Sequence, residues 1–120
     1  MINIAAKRVL IVEDNGLIGE VIADTITEAG GYPIGPVTTE AEALDLIDDH
    51  REMPDAAVLD INLDGTSLQV AERLRQLGVP FVFATGNAKA IPESFRATPV
   101  CEKPYTVRSL LIALEAALAD

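Results

Sequence analysis

The sequence predicts an α/β fold, a doubly wound parallel sheet of five strands flanked by about five helices, the fourth of them short or irregular. Three observations predict it. Short, continuous apolar runs recur along the chain, as in strands covered on both faces. Stretches with apolar residues at helical spacing lie between them. The two kinds alternate strictly, and alternating strands and helices form a parallel sheet with helices packed on both sides.

The first run, Val9-Leu10-Ile11-Val12, ends in Glu13-Asp14. Leu17, Val21, Ile22, Ile26 and Ala29 stripe the first helix, which stops at Gly30-Gly31, a common helix end. Tyr32 to Val37 contains Pro33 and Pro36; neither can donate to a neighbouring strand, so this strand belongs at a sheet edge. Ala43, Leu44 and Ile47 stripe a second helix, stopped before Pro54, and Val58-Leu59 then runs into Asp60. Leu68, Val70, Ala71, Leu74 and Leu77 stripe the third, ended by Gly78, and Phe81-Val82-Phe83-Ala84 leads to Thr85-Gly86. Asn87 to Phe95 contains Pro92, which forbids a regular helix through its middle; a loop and one short turn from Pro92 are expected. Pro99-Val100-Cys101 ends in Glu102-Lys103. The last helix is expected from Pro104, with Val107, Leu110, Leu111, Leu114 and Leu118 as its stripe.

A chain of 120 residues is the length of one domain, so residues 1–120 are expected to form a single unit with no effector domain. Its 9 Lys and Arg face 19 Asp and Glu, a formal net charge of -10. That balance disfavours a grip on nucleic-acid phosphates or anionic lipid and suits cations and basic partners. The single Cys101 excludes an intramolecular disulfide and a Cys-based zinc site, and it fits a reducing compartment as a small buried hydrophobe. The first apolar run is too short for a signal-peptide core, and none approaches the about 18 residues of a membrane span. A cytoplasmic chain is expected.

Glu13, Asp14, Asp60, Thr85 and Lys103 all fall at strand ends, and in a doubly wound sheet the functional crevice lies at the carboxyl ends of the strands. Three carboxylates gathered there repel one another, so the cluster must hold protons or a cation. Oxygen-only ligands select a hard ion, and Mg²⁺ is the best match. A hydroxyl from Thr85 and an ammonium from Lys103 suit the remaining oxygens of a phosphoryl group. Asp60 can act as nucleophile, because a carboxylate can form an acyl phosphate.

The set Val12-Glu13-Asp14, Val58-Leu59-Asp60, Ala84-Thr85-Gly86 and Lys103-Pro104 resembles the receiver domain of two-component response regulators, from about Lys7 to Leu118. The resemblance implies a flavodoxin-like strand order 2-1-3-4-5. It further implies phosphorelay signalling, with a phosphoryl group passing from a sensor histidine kinase or phosphotransfer protein to Asp60. Asp14, Asp60 and the backbone carbonyl of Asn62 would hold Mg²⁺, with Glu13 acting through water. Lys103 would pair with the phosphoryl group, and Thr85 would move to hydrogen-bond it. Output would pass to a downstream protein partner, or the protein would serve as a phosphate shuttle or sink. Such a protein is not an enzyme beyond its own phosphoryl uptake and hydrolysis. Many receivers pair through one helical face, so a homodimer is open to this chain.

Several positions depart from the common receiver pattern. The loop after Asp60 reads Ile61-Asn62-Leu63-Asp64-Gly65, without the usual Pro, and Val100 stands where a switch aromatic usually lies. Phe83-Ala84-Thr85-Gly86 resembles the signature of a subgroup of stand-alone receivers, although Asn87-Ala88 follows where that subgroup usually has a Tyr. Two other readings stand beside the receiver: a binding module of the same fold with altered or no phosphorylation, and an Asp-nucleophile phosphatase. The phosphatase would need a second Asp as general acid where this chain has Asn62. Glu13-Asp14-Asn15 could also serve only as a helix cap. His50, in Asp48-Asp49-His50-Arg51, reads as an exposed helix-end residue, the clusters at Glu40 and Glu42 as solvated helix face, and Ile112 as lying off the last helix's stripe.

Overall fold

The computed structural model describes residues 4–49, 53–60, 68–86, 89, 91–102 and 105–119. Strands β1 (Arg8–Val12), β2 (Tyr32–Val37), β3 (Ala56–Asp60), β4 (Phe81–Thr85) and β5 (Val100–Glu102) alternate with helices α1 (Gly16–Glu28), α2 (Glu40–Asp48), α3 (Leu68–Leu77) and α4 (Val107–Ala119). Between β4 and β5 the described helical element is a 3-10 turn, Glu93–Phe95, directly after Pro92. Among the described residues, four α-helices and this short turn from Pro92, in the place of the irregular fourth helix, correspond to the expected set of about five. All strands pair in parallel in the order β2-β1-β3-β4-β5.

Side chains on a strand alternate between faces, and here both faces are filled. Val9, Ile11, Ala56, Val58, Val82 and Ala84 pack under α1 and α4, together with Ile22, Ile26, Leu110 and Leu114. Leu10, Val12, Ala57, Leu59, Phe81 and Phe83 pack on the other side with Ile47, Val70, Leu74 and Phe95. This double burial explains why the central strands read as unbroken apolar runs. The run Pro99-Val100-Cys101 departs from that expectation. Among the described residues β5 has no neighbour beyond β4, and Val100 is 38% exposed and Cys101 half-buried, not buried. The proline-bearing β2 takes the opposite edge, as expected.

Local sequence sets the helix ends. Asn15 caps α1, its Oδ1 accepting from Leu17 N at 3.1 Å and Ile18 N at 3.2 Å. The helix closes where Gly31 N donates to Ile26 O at 2.9 Å, with Gly30 at a φ of 87° that favours glycine. The buried stripe of α1 is Gly19, Ile22, Ala23 and Ile26, whereas Leu17 is 78% exposed and Val21 is also exposed. The stripe is thus rotated from the expected one. At Gly19 a Cβ would meet Pro36 Cβ at 2.7 Å, so the close seat of α1 on β2 requires glycine there. Thr39 caps α2, its Oγ1 accepting from Glu42 N at 3.2 Å, and its hydroxyl donates to Glu42 Oε1 at 3.0 Å, which gives Glu42 more than a solvating role. Helix α4 starts at Val107, not at Pro104, because Thr106 caps it: its Oγ1 accepts from Ser109 N at 3.0 Å. Ile112 is exposed, as expected.

Candidate functional site

Register brings the acids together. Val12 pairs with Leu59, so Glu13, one residue past β1, lies level with Asp60 at the end of β3. Asp60 in turn pairs with Ala84, which sets Thr85 at the same rim. Glu13 N donates to Val37 O at 3.0 Å, tying its backbone to β2. Its Oε1 accepts from Asn15 N at 3.1 Å, joining the acid to the cap of α1. The cap itself is Asn15, so capping does not account for Glu13 and Asp14.

Carboxylate oxygens of Glu13, Asp14 and Asp60 lie within 4.8 Å of one another. Glu13 is 1% exposed, Asp60 7% and Thr85 1%, while Asp14 opens to solvent. At that separation two unit charges repel by about 3 to 4 kcal/mol at an effective dielectric of about 20. Two such groups with little access to water form a strong attractor for positive charge. The donors are all oxygen, so they fit a hard divalent cation better than zinc or copper. Asn62 and Lys103, also expected at this site, lie outside the described residues, as does His50.

Sequence reasoning missed two features beside these residues. Tyr105, between β5 and α4, packs its ring on the α1/α4 side of the core and buries its hydroxyl, which has no hydrogen-bond partner among the described residues. Burial, and then the charges of Glu13, Asp60 and Cys101, push its phenol up to about 12. The signal was present in the sequence as a polar-tipped aromatic three residues past the end of β5. The folded state thus holds the phenol proton above the usual tyrosine range, so stability should fall as pH rises from about 10 through about 12. Ultraviolet titration of a Tyr32→Phe variant isolates this group. An onset of ionisation near pH 10 in the folded protein would contradict the placement.

The second feature is aromatic. All three phenylalanines of the chain meet: Phe95 lies 5.6 Å from Phe83 and 6.1 Å from Phe81 between ring centroids, both edge-on. The Arg75 guanidinium stacks 4.3 Å over the Phe95 ring, donates to Ser94 O at 2.7 Å and pairs with Glu72. The segment after β4 is therefore pinned to α3 and to the strand that ends in Thr85. The order of the three rings along the chain gave no hint that they would share one cluster.

The sequence matches the response regulator receiver domain over residues 9–115. The chain belongs to that family. It is 39% identical to SdrG from Sphingomonas melonis Fr1, over 96% of this chain and 98% of that one, with a TM-score of 0.78. It is 27% identical to the PhyR stress response regulator, over 97% of this chain and 46% of that one, with a TM-score of 0.75. Among curated proteins it is 26% identical to the transcriptional regulatory protein PdtaR of Mycobacterium tuberculosis, over 94% of this chain. It spans 57% of the length of that relative. Among the described residues, no helix is long and apolar enough to cross a membrane.

Proposed function

We propose that this receiver accepts a phosphoryl group on Asp60 from a histidine kinase or phosphotransfer protein, in a Mg²⁺-dependent reaction in the cytoplasm. The observation that carries the reading is the convergence of Glu13, Asp14 and Asp60 at the strand ends, within 4.8 Å, beside buried Thr85. Asp14 and Asp60, with the carbonyl of Asn62, would hold the ion, and Glu13 would act through water. When bound, the ion neutralises the carboxylates and the incoming phosphoryl oxygens. An Asp60 carboxylate oxygen attacks phosphorus, the nitrogen–phosphorus bond of the phosphohistidine breaks, and the imidazole leaves as the freed base. Thr85 and Lys103 then bond the remaining phosphoryl oxygens.

The acyl phosphate carries roughly -1.5 to -2 charge where the Asp60 carboxylate carried a single one, and its acceptor oxygens draw the Thr85 hydroxyl inward. Thr85 and Phe83 lie on the same face of β4, and Phe83 touches Phe95. Val100 supplies no ring for the usual coupling, and this phenylalanine contact supports a route from Thr85 to residues 91–99 instead. The output passes through protein contacts, or the protein works as a phosphate shuttle or sink. Its chemistry is confined to its own phosphoryl uptake and hydrolysis.

Incubation with Mg²⁺ and acetyl phosphate should give one labile phosphoryl adduct by intact mass, absent when EDTA is added. No adduct at any donor concentration would leave a binding module of the same fold; turnover of unrelated phosphomonoesters would point to a phosphatase. Mg²⁺ should also raise the melting temperature, because it binds only the folded acid cluster, by the equivalent of about 2.7 kcal/mol at a hundred times Kd. Asp14→Asn should lose most of that rise in a thermal scan. An undiminished rise would remove Asp14 from the ligand set.

A further inference from the structure

Residues 91–99 run between two open clefts, one of about 380 Å³ beside Arg75 and Thr98 and one of about 250 Å³ beside Ile91 and Val100. A segment with space on both sides can shift, so its few fixed contacts decide how readily it does. Ile91 and Pro99 tie its ends, and Phe95 holds its middle from inside the core. Arg75 holds it from outside. A cation in the last turn of α3 suits the helix end, which is an ordinary reason for an arginine there. Arg73 of the same helix has an ordinary role too, pairing with Asp48 of α2 at 3.2 Å. Arg75 does more. Its guanidinium lies 4.3 Å over the Phe95 ring, donates to Ser94 O at 2.7 Å and pairs through another nitrogen with Glu72. A planar fork makes all three contacts at once, which an ammonium cannot. Val70, Ala71 and Leu74 bury the other side of α3, so the arginine pulls from a fixed base.

The place of this contact gives it a direction. Arg75 and Phe81 line the same cleft, at the start of β4, whereas Thr85 ends that strand at the acid rim. Four strand steps separate the two, about 13 Å. Movement of residues 91–99 toward the rim therefore draws Ser94 and Phe95 off the guanidinium. We propose that Arg75 is a strap that holds residues 91–99 back from the acid rim, so that phosphoryl binding at Asp60 and closure of the strap oppose each other. The assignment deepens the phosphorylation reading given above and rests on it. Coupling between binding equilibria is reciprocal, so release of the strap is felt at Asp60 from the far end of β4.

The test titrates beryllofluoride, a tetrahedral mimic of a phosphoryl group on a carboxylate, into the protein in the presence of Mg²⁺, with calorimetry as the readout. Arg75→Ala and Arg75→Lys should each bind it about three- to tenfold more tightly than wild type, the equivalent of one cation–ring contact or one hydrogen bond. Amide exchange over residues 91–99 should quicken in both variants before the mimic is added. Arg73→Ala should bind as wild type does. A simple charge effect has the opposite sign for Arg75→Ala, since loss of a cation weakens the hold on an anion. Equal or weaker binding by either Arg75 variant would overturn the assignment. So would an equal gain in Arg73→Ala, which marks a general loosening of α3. A wild-type protein that binds no beryllofluoride, or binds it equally after Asp60→Asn, would overturn the reading of Asp60 itself, and the strap with it.

Discussion

Replacing Asp60 by Asn should abolish the phosphoryl adduct and at the same time make the metal-free protein more stable. The first effect follows from the nucleophile: a neutral amide has no carboxylate oxygen to form the acyl phosphate. The second follows from electrostatics. Asp60 is 7% exposed, and its oxygens share a 4.8 Å neighbourhood with those of Glu13 and Asp14. Removing one of three like charges there, while keeping the side-chain shape, should raise stability by about 1 to 3 kcal/mol in EDTA at neutral pH. With saturating Mg²⁺ the order should reverse, because the variant has lost a ligand. Urea denaturation in the two buffers measures both. A variant less stable than wild type in EDTA would mean that nearby cations already balance the pocket.

Phe95→Ala should cost about 3 to 5 kcal/mol, the range for deleting a buried aromatic ring. Phe95 is buried, stands edge-on to Phe81 and Phe83, and lies under the Arg75 guanidinium. Its segment is otherwise held at its two ends, by Ile91 against the same cluster and by Pro99 O, which accepts from Phe83 N at 3.0 Å, while its backbone between is closed by turn bonds such as Phe95 N to Pro92 O at 3.0 Å and Thr98 N to Phe95 O at 2.9 Å. The loss should therefore be partly local, visible as faster amide exchange over residues 91–99 than in β4. Acetyl phosphate should still label Asp60, since the ring lies outside the acid cluster. Val100→Ala, by contrast, should stay within about 1 kcal/mol, because that side chain is partly in solvent. Equal costs at the two positions would remove Phe95 as the anchor of this segment.

The central strands and the acid rim were legible in the sequence because their signals are local. An apolar run ending in Asp or Glu states both the strand and the end that carries chemistry, and parallel register does the rest. The prolines of β2 placed it at the edge for an equally local reason. Misreadings arose where neighbours decide. In α1 the apolar residues nearly encircle the helix, and the seat of Gly19 on Pro36, invisible in the sequence, chose the stripe that turned inward. Strand β5 looked as apolar as β3, but its place at the edge exposed it. The start of α4 was set by the Thr106 hydroxyl instead of the more conspicuous proline. Tyr105 and Phe95 were missed because each acts through partners 45 and 12 or more residues away.

The prolines of β2 also bear on how copies of this protein can meet. An open sheet invites a strand from another molecule to continue it, which is how edge pairing grows into fibrils. Along β2, Pro33 and Pro36 withhold their donors, and Gly35, at a φ of 96°, bends the backbone away from the extended form a newcomer would need. The opposite border, β5, offers three residues. Neither border is a good template for strand-by-strand growth, so concentrated solutions of the folded protein should resist fibril formation even though the interior of the sheet is rich in Val, Ile, Leu and Phe.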